Sequence, residues 1–303
     1  MTKPIFPAKK ERHVLFGSVP PVPGSKPTLK EQMTDLQNHS EDYLFAIEEV
    51  GITRVSHPIT IHSTMAPRVQ TTIARIELTT NLGQNSKGIN MSRLTETLES
   101  YRQRGLSTDL AHLCELTKEL AVVMNQSSSK LVMEFPWFYE RSAPASSLIG
   151  LSHSELYIEI KYDESADQKF EITVGITTAV TTLCPCSKEI SEYSAHNQRG
   201  MVTIKVSVDP LLVNASWNVL LLEAAESNAS AALHPVLKRT DEKMVTERAY
   251  ENPRFVEDLA RLVAADLYEY DFVERFTVEC RNEESIHQHD AIARITFDKR
   301  QKG

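Results

Sequence analysis

Cys184-Pro185-Cys186-Ser187-Lys188-Glu189-Ile190 and His196-Asn197-Gln198-Arg199-Gly200 lie between two alternating runs, Phe170, Ile172, Val174, Ile176 before them and Val202, Ile204, Val206, Val208 after them. Apolar residues at every second position put one face of an extended chain in a core and the other in water, so each run reads as a half-buried strand. The polar, hairpin-like segment between the strands can bring Cys184 and His196 to one point at the rim of a sheet. Two thiols, an imidazole and two cations in so short a segment suit a metal beside an anion. Thiolate and imidazole are zinc-type ligands, and a catalytic zinc takes three protein ligands and keeps one position for water.

Outward from this segment, two helices follow. Trp217 to Ser227 forms one. The other is predicted to open with Asn252 as cap and Pro253 in its first turn, with a stripe of Phe255, Leu259, Leu262, Val263 and Leu267. Strands near Phe276 to Cys280 and Ala291 to Phe297 end the chain. The same order runs through the first half. Ala74, Ile76 and Leu78 alternate with Arg75, Glu77 and Thr79 as a strand. Leu94, Leu98 and Tyr101 mark one helix, and Leu110, Leu113, Cys114, Ala121 and Met124 mark a second, with Cys114 as a core residue. Two more strands carry Leu131, Met133, Phe135 and Leu156, Ile158, Ile160. Strand-strand-helix-helix-strand-strand, twice, is an α+β pattern of two duplicated modules with antiparallel sheets and helices on one face. The expected division is an N-terminal extended arm over 1–50, rich in Pro and Lys, a first module over 51–165 and a second over 166–303.

A chain of 303 residues can bury a sizeable core. Its formal net charge of −8 argues against a nucleic-acid partner, so an anionic small ligand needs a local basic cluster. Four cysteines, two of them only two apart, do not form the disulfide framework of a small secreted domain and fit reduced thiols. No leader-like apolar core and no run long enough to span a membrane is present, which points to the cytoplasm.

Residue types leave the third metal ligand open among Glu189, Glu223, Glu226, Glu242 and Glu247. Glu242 falls in the charged stretch Lys238-Arg239-Thr240-Asp241-Glu242-Lys243, read as a loop before the last helix. His287 and His289, one residue apart, share a face on an extended chain, and imidazoles suit proton transfer. Glu257 in a first helical turn is ordinarily a dipole partner. Lys188, Arg199, Lys238, Arg239 and Lys243 offer positive charge to phosphate oxygens. No Walker-type loop and no dinucleotide fingerprint occurs, so phosphate recognition falls to side chains and helix ends.

These segments resemble the signature of the type IB GTP cyclohydrolases. Cys184 to Ser191 with His196 to Gly200 carries the resemblance, and Leu237 to Lys243, Tyr250 to Asp258 and Glu283 to Ala291 agree in order and spacing. The resemblance implies tandem tunnelling-fold modules in a homotetramer with active sites at subunit interfaces. It implies that Cys184, His196 and Glu242 hold Zn2+ or Mn2+, that Cys184 is thereby catalytic, that Glu257 anchors the guanine of GTP, and that His287 and His289 line the reacting centre. Lys188 and Arg199 are then candidates for the triphosphate. The implied reaction opens the GTP imidazole ring at C8, releases that carbon as formate and yields 7,8-dihydroneopterin triphosphate for folate and queuosine synthesis. One departure is Lys87-Gly88-Ile89-Asn90-Met91-Ser92-Arg93, where Ile89 and Asn90 stand in place of the more usual Thr-His. Cys186 receives no role.

Two other readings compete. A tunnelling-fold nitrile reductase predicts nicotinamide dependence without metal. A non-enzymatic scaffold with structural zinc predicts a site closed by four protein ligands, and the chain lacks a second Cys or Cys-His pair at finger spacing.

Overall fold

The computed structural model describes residues 6–17, 26–27, 29–33, 35–37, 39–213 and 216–301. In chain order they form α1 (Lys9–Leu15), β1 (Ile47–His62), β2 (Val69–Leu82), α2 (Met91–Gln103), α3 (Leu110–Met124), β3 (Ser128–Ser142), β4 (Ile149–Asp163), β5 (Phe170–Leu183), α4 (Pro185–Ile190), β6 (Asn197–Val208), α5 (Trp217–Ser227), β7 (Ala231–Ala232), α6 (Arg239–Glu251), α7 (Val256–Glu269), β8 (Val273–Glu283) and β9 (Ala291–Asp298). A single 3₁₀ turn, Lys30–Gln32, precedes β1.

Among the described residues the strands make one nine-stranded antiparallel sheet in the order β1-β2-β3-β4-β5-β6-β8-β9, with β7 paired to β5. The two strand-helix-helix-strand halves join where Glu155–Tyr162 of β4 pairs with Phe170–Thr177 of β5. Period-two alternation sends Leu131, Met133, Phe135, Trp137 and Tyr139 of β3 to one face, where they are buried. Leu113, Leu116 and Leu120 of α3 and Leu259, Val263 and Leu267 of α7 share the same core with the inward residues of the sheet. The opposite face is polar. Lys130 there pairs with Glu49 and Glu77, Arg275 with Glu171, and the Lys205 ammonium stands 3.6 Å from the Tyr157 ring centre. An apolar cavity of about 600 Å³ opens between α3 and α5, lined by Cys114, Phe170 and Trp217 and by none of the candidate site residues.

Three expectations are corrected. Residues 239–243 are not a loop but the first turns of α6. Only Asp241 and Ala249 of that helix are buried, so its polar sequence carries almost no apolar stripe to announce it. Asn252 caps the C-terminus of α6, donating its backbone N–H to the Arg248 and Ala249 carbonyls, and α7 starts only at Val256, past Pro253. The segment read as an extended arm contains α1, and Phe6 stacks on Phe45 at 5.6 Å. The arm's residues 1–5, 18–25, 28, 34 and 38 lie outside the described set. Ile89 is buried in the main core, and Asn90 immediately precedes α2 without a side-chain cap bond.

Candidate functional site

The site is built where β5 ends. Leu183, its last residue, has both backbone groups satisfied from outside the sheet, its N–H by Ser230 Oγ at 3.0 Å and its carbonyl by the Arg254 N–H at 2.9 Å. Buried peptide groups need such partners, and these two fix the rim. The Arg254 bond also brings the run-in of α7 to the residue before Cys184, and Glu257 stands exposed in the first turn of that helix.

Cys184 stands at the N-cap of α4, with Pro185 pre-set for the first helical position. Its sulfur accepts the Ser187 N–H at 3.4 Å. Ser187 Oγ donates to the Cys184 carbonyl at 3.1 Å and accepts the His196 N–H at 3.2 Å. The Cys184 N–H donates to the His196 carbonyl at 3.2 Å. Cys184 and His196 are therefore joined through backbone and Ser187, as the strand framing predicted.

His196 has a defined tautomer. Its Nδ1 lies 2.9 Å from Gln198 Oε1, while Gln198 Nε2 donates to Glu284 Oε1 at 3.3 Å. A carboxylate only accepts, so the Gln198 amide turns its nitrogen to Glu284 and its oxygen to the imidazole. In the neutral ring Nδ1 is then the donor, with Ser285 Oγ 3.2 Å away, and Nε2 is the nitrogen that bears the lone pair. This is the arrangement that second-shell acceptors impose on metal-binding histidines.

Glu284 and Ser285 belong to the β8–β9 connection, which also carries His287 and His289. That connection is a turn and not an extended strand, yet the two imidazoles still meet, stacked 4.9 Å apart at 12° and exposed. Lys188 reaches the other way, donating to the Tyr250 carbonyl at 2.6 Å and standing 4.2 Å from the Tyr250 ring centre. It ties α4 to the end of α6. Arg199, exposed on β6 opposite Glu283 of β8, meets no partner among the described residues.

Glu242 is in the first turn of α6, exposed and without a partner for its carboxylate among the described residues. Val245 and Ala249 of the same helix pack on Leu183 and Ala231. Among the described residues no three His, Cys, Asp or Glu side chains form a ready metal cluster. Its neighbour Asp241 is fully buried. Burial opposes the Asp241 charge, but hydrogen bonds from the Ser146 hydroxyl and from backbone N–H groups hold its carboxyl well below the usual carboxylate range.

Cys114 and Cys280 are held as thiols by their surroundings. Burial pushes Cys114 up to about 11 and Cys280 up to about 12. At pH 8 roughly 10⁻³ or less of either is thiolate, the reactive form. Iodoacetamide at that pH is expected to label exposed Cys186 first and to leave Cys114 and Cys280 unmodified in the native protein, as read by peptide mass spectrometry. Labelling of Cys280 without denaturant would contradict this packing.

Residues 33–293 match the family model of the type I GTP cyclohydrolase FolE2. The chain belongs to that family. Relatives named GTP cyclohydrolase FolE2 include one from Halalkalibacterium halodurans, 58% identical over 97% of this chain and 98% of its own length, and one from Bacillus subtilis, 55% identical over 97% of both. Among solved structures, a uricase from Arthrobacter globiformis superposes with a TM-score of 0.52 at 11% identity, covering 84% of this chain and 95% of that one. A uricase from Bacillus fastidious gives 0.51 at 8%, covering 83% and 93%. At such identity the likeness concerns the fold alone, the α+β tunnelling fold.

The fit of this FolE2 chain to the divalent metal expected from the resemblance is one of donor chemistry, since the side chains are not gathered into a cluster among the described residues. Cys184, His196 and Glu242 offer sulfur, nitrogen and oxygen donors of the types that suit zinc, and the Gln198 contact on His196 Nδ1 leaves Nε2 as the nitrogen to ligate. Gln198, Glu284, Ser285, Arg254 and Asp241 received no role from the sequence. All five lie inside the segments that carry the resemblance, and Asp241, three residues after Lys238, holds the capping-box position of α6.

Proposed function

We propose that this chain converts GTP and water to formate and 7,8-dihydroneopterin triphosphate, the first step of folate biosynthesis. Membership of the FolE2 family over residues 33–293 carries the reading. The His196 network supports its placement, because Gln198, Glu284 and Ser285 tie a ligand-ready imidazole to the connection that bears His287 and His289.

In this reading Cys184, His196 and Glu242 hold Zn2+ or Mn2+. When bound, the metal supplies Lewis-acid activation of water near neutral pH. Glu257 accepts the N–H donors of the guanine edge and fixes the base. His287 and His289 pass a proton to the purine nitrogen that gains charge as the ring opens at C8. Arg199 offers its guanidinium to the triphosphate, for which planar, multidentate donors are suited. Lys188 serves chiefly to hold α4 against Tyr250, since its ammonium is already engaged.

The same reading places the enzyme in the cytoplasm as a homotetramer with interfacial sites, its product feeding queuosine as well as folate synthesis. Among the described residues no helix is long and apolar enough to cross a membrane. The deciding assay supplies GTP to protein loaded with zinc or manganese and follows formate together with the fluorescent pterin formed on oxidation. Both signals are expected. Neither, with both metals tried, would overturn the reading.

A further inference from the structure

We infer that Asp241 is a positioning residue for metal binding, acting as a clamp that sets the α6 backbone from which Glu242 projects. The inference rests on the reading of Glu242 as a ligand. Asp241 is fully buried, and each of its oxygens accepts two hydrogen bonds. Oδ1 accepts the N–H groups of Ala145 and Ser146, both at 2.7 Å. Oδ2 accepts the Ser146 hydroxyl at 2.6 Å and the Lys238 N–H at 2.8 Å. One carboxylate thus caps its own helix and fastens it to the β3–β4 connection, almost a hundred positions earlier in the chain.

The rest of α6 is held at two further points. Val245 and Ala249 pack on Leu183, the residue before Cys184. The run-in to the helix lies against β4, where a Cβ on Gly150 would stand 2.8 Å from Pro235 Cγ and 2.9 Å from Val236 Cγ2. Such a distance allows only glycine there unless the run-in moves. Between these anchors Glu242 is exposed and its carboxylate unpartnered among the described residues. A ligand on a fixed backbone has only its side-chain rotamers to order when metal binds, whereas a ligand on a frayed helix end must order backbone too. That difference is why residues around a ligand tune affinity as well as the ligand itself.

A buried acid that merely stabilised the fold would give a different result, so the test reads metal affinity and not only activity. Zn2+ affinity is measured by competition with a chromophoric chelator on the full chain, with thermal unfolding to establish that each variant is folded. Asp241→Asn replaces one acceptor oxygen with a donor and removes the charge. With the amide nitrogen at the Oδ2 position the Ser146 hydroxyl can turn to accept, but the Lys238 N–H that caps α6 loses its acceptor, and about a 10-fold or greater loss of Zn2+ affinity is expected. Ser146→Ala, far from Glu242 in sequence, is expected to fall between wild type and Asp241→Asn. The double variant is expected to lose less than the sum of the two single losses, because both changes act on the Asp241–Ser146 contact. Leu120→Ala, a core truncation in α3, lowers stability and is expected to keep wild-type affinity.

Folded Asp241→Asn and Ser146→Ala at wild-type affinity, with Glu242→Gln weakened, would overturn the clamp. So would an equal loss in Leu120→Ala. Wild-type affinity in Glu242→Gln would instead remove Glu242 as a ligand, and the clamp with it. If Asp241→Asn does not fold, Ser146→Ala decides by the same criterion.

Discussion

Cys184→Ala is expected to abolish formate release and pterin fluorescence together while the protein remains folded. Cys184 is a half-buried residue at the N-cap of a six-residue helix, and its sulfur accepts a single long bond from Ser187. Losing even a good oxygen cap costs about 0.5–2 kcal/mol, and a thiol is a weaker acceptor, so the cost falls at the low end. The chemical cost is of another order. Removing groups that only orient ligands lowers affinity or activity about 10–100-fold, so loss of the thiolate itself should exceed 100-fold. Cys184→Ser separates the two effects, since a hydroxyl restores the cap and not the soft donor. Serine with alanine-like activity and wild-type melting is the expected result. Substantial turnover in Cys184→Ala with bound zinc would remove Cys184 from the ligand set. Loss of metal with unfolding would favour a structural zinc over a catalytic one.

The fold was legible wherever one face of an element is apolar. The alternation in β2, β3, β4, β5 and β6 and the stripes of α2, α3 and α7 follow directly from burial against one core, and Trp217–Ser227 falls where its pattern ends. Helix α6 was not legible. Among the described residues its apolar packing is a small cluster of Val245 and Ala249 with Leu183 and Ala231, apart from the main core, and the buried carboxylate of Asp241 bonds it to a loop almost a hundred residues away. No local pattern encodes such a bond. The candidate site divides in the same way. Cys184 and His196 could be brought together from the two strands that frame them, because antiparallel pairing returns the chain to its starting point. Gln198, Glu284 and Ser285 act through contacts between β6 and the β8–β9 connection, which only the strand order reveals. His287 and His289 were expected to share a face of an extended chain; a turn and not an extended strand holds them, and it stacks the two rings.

Glu226→Ala is expected to cost about 3–5 kcal/mol of stability, the range for leaving one member of a buried ion pair behind. Arg141 at the end of β3 donates to both Glu226 oxygens of α5, at 2.6 and 2.5 Å, with the side chains only 15% and 13% exposed. Burial pushes the Glu226 carboxyl up, and Arg141 offsets that only in part. The pair is also incompletely satisfied, since Arg141 Nε is buried without a hydrogen-bond partner among the described residues. The large loss in the single variant therefore measures a stranded guanidinium beside the Tyr139 ring, 5.4 Å away, more than it measures a strong attraction. A second variant separates these meanings. Arg141→Met with Glu226→Leu removes both charges and fills the space with apolar groups, and it is expected to recover most of the lost stability, as read by urea unfolding. If the double variant is as unstable as the single, the pair is a net stabiliser in its own right. Zn2+ affinity should follow neither change while Asp241 keeps its grip on Ala145 and Ser146, because that contact and not the ion pair sets the start of α6.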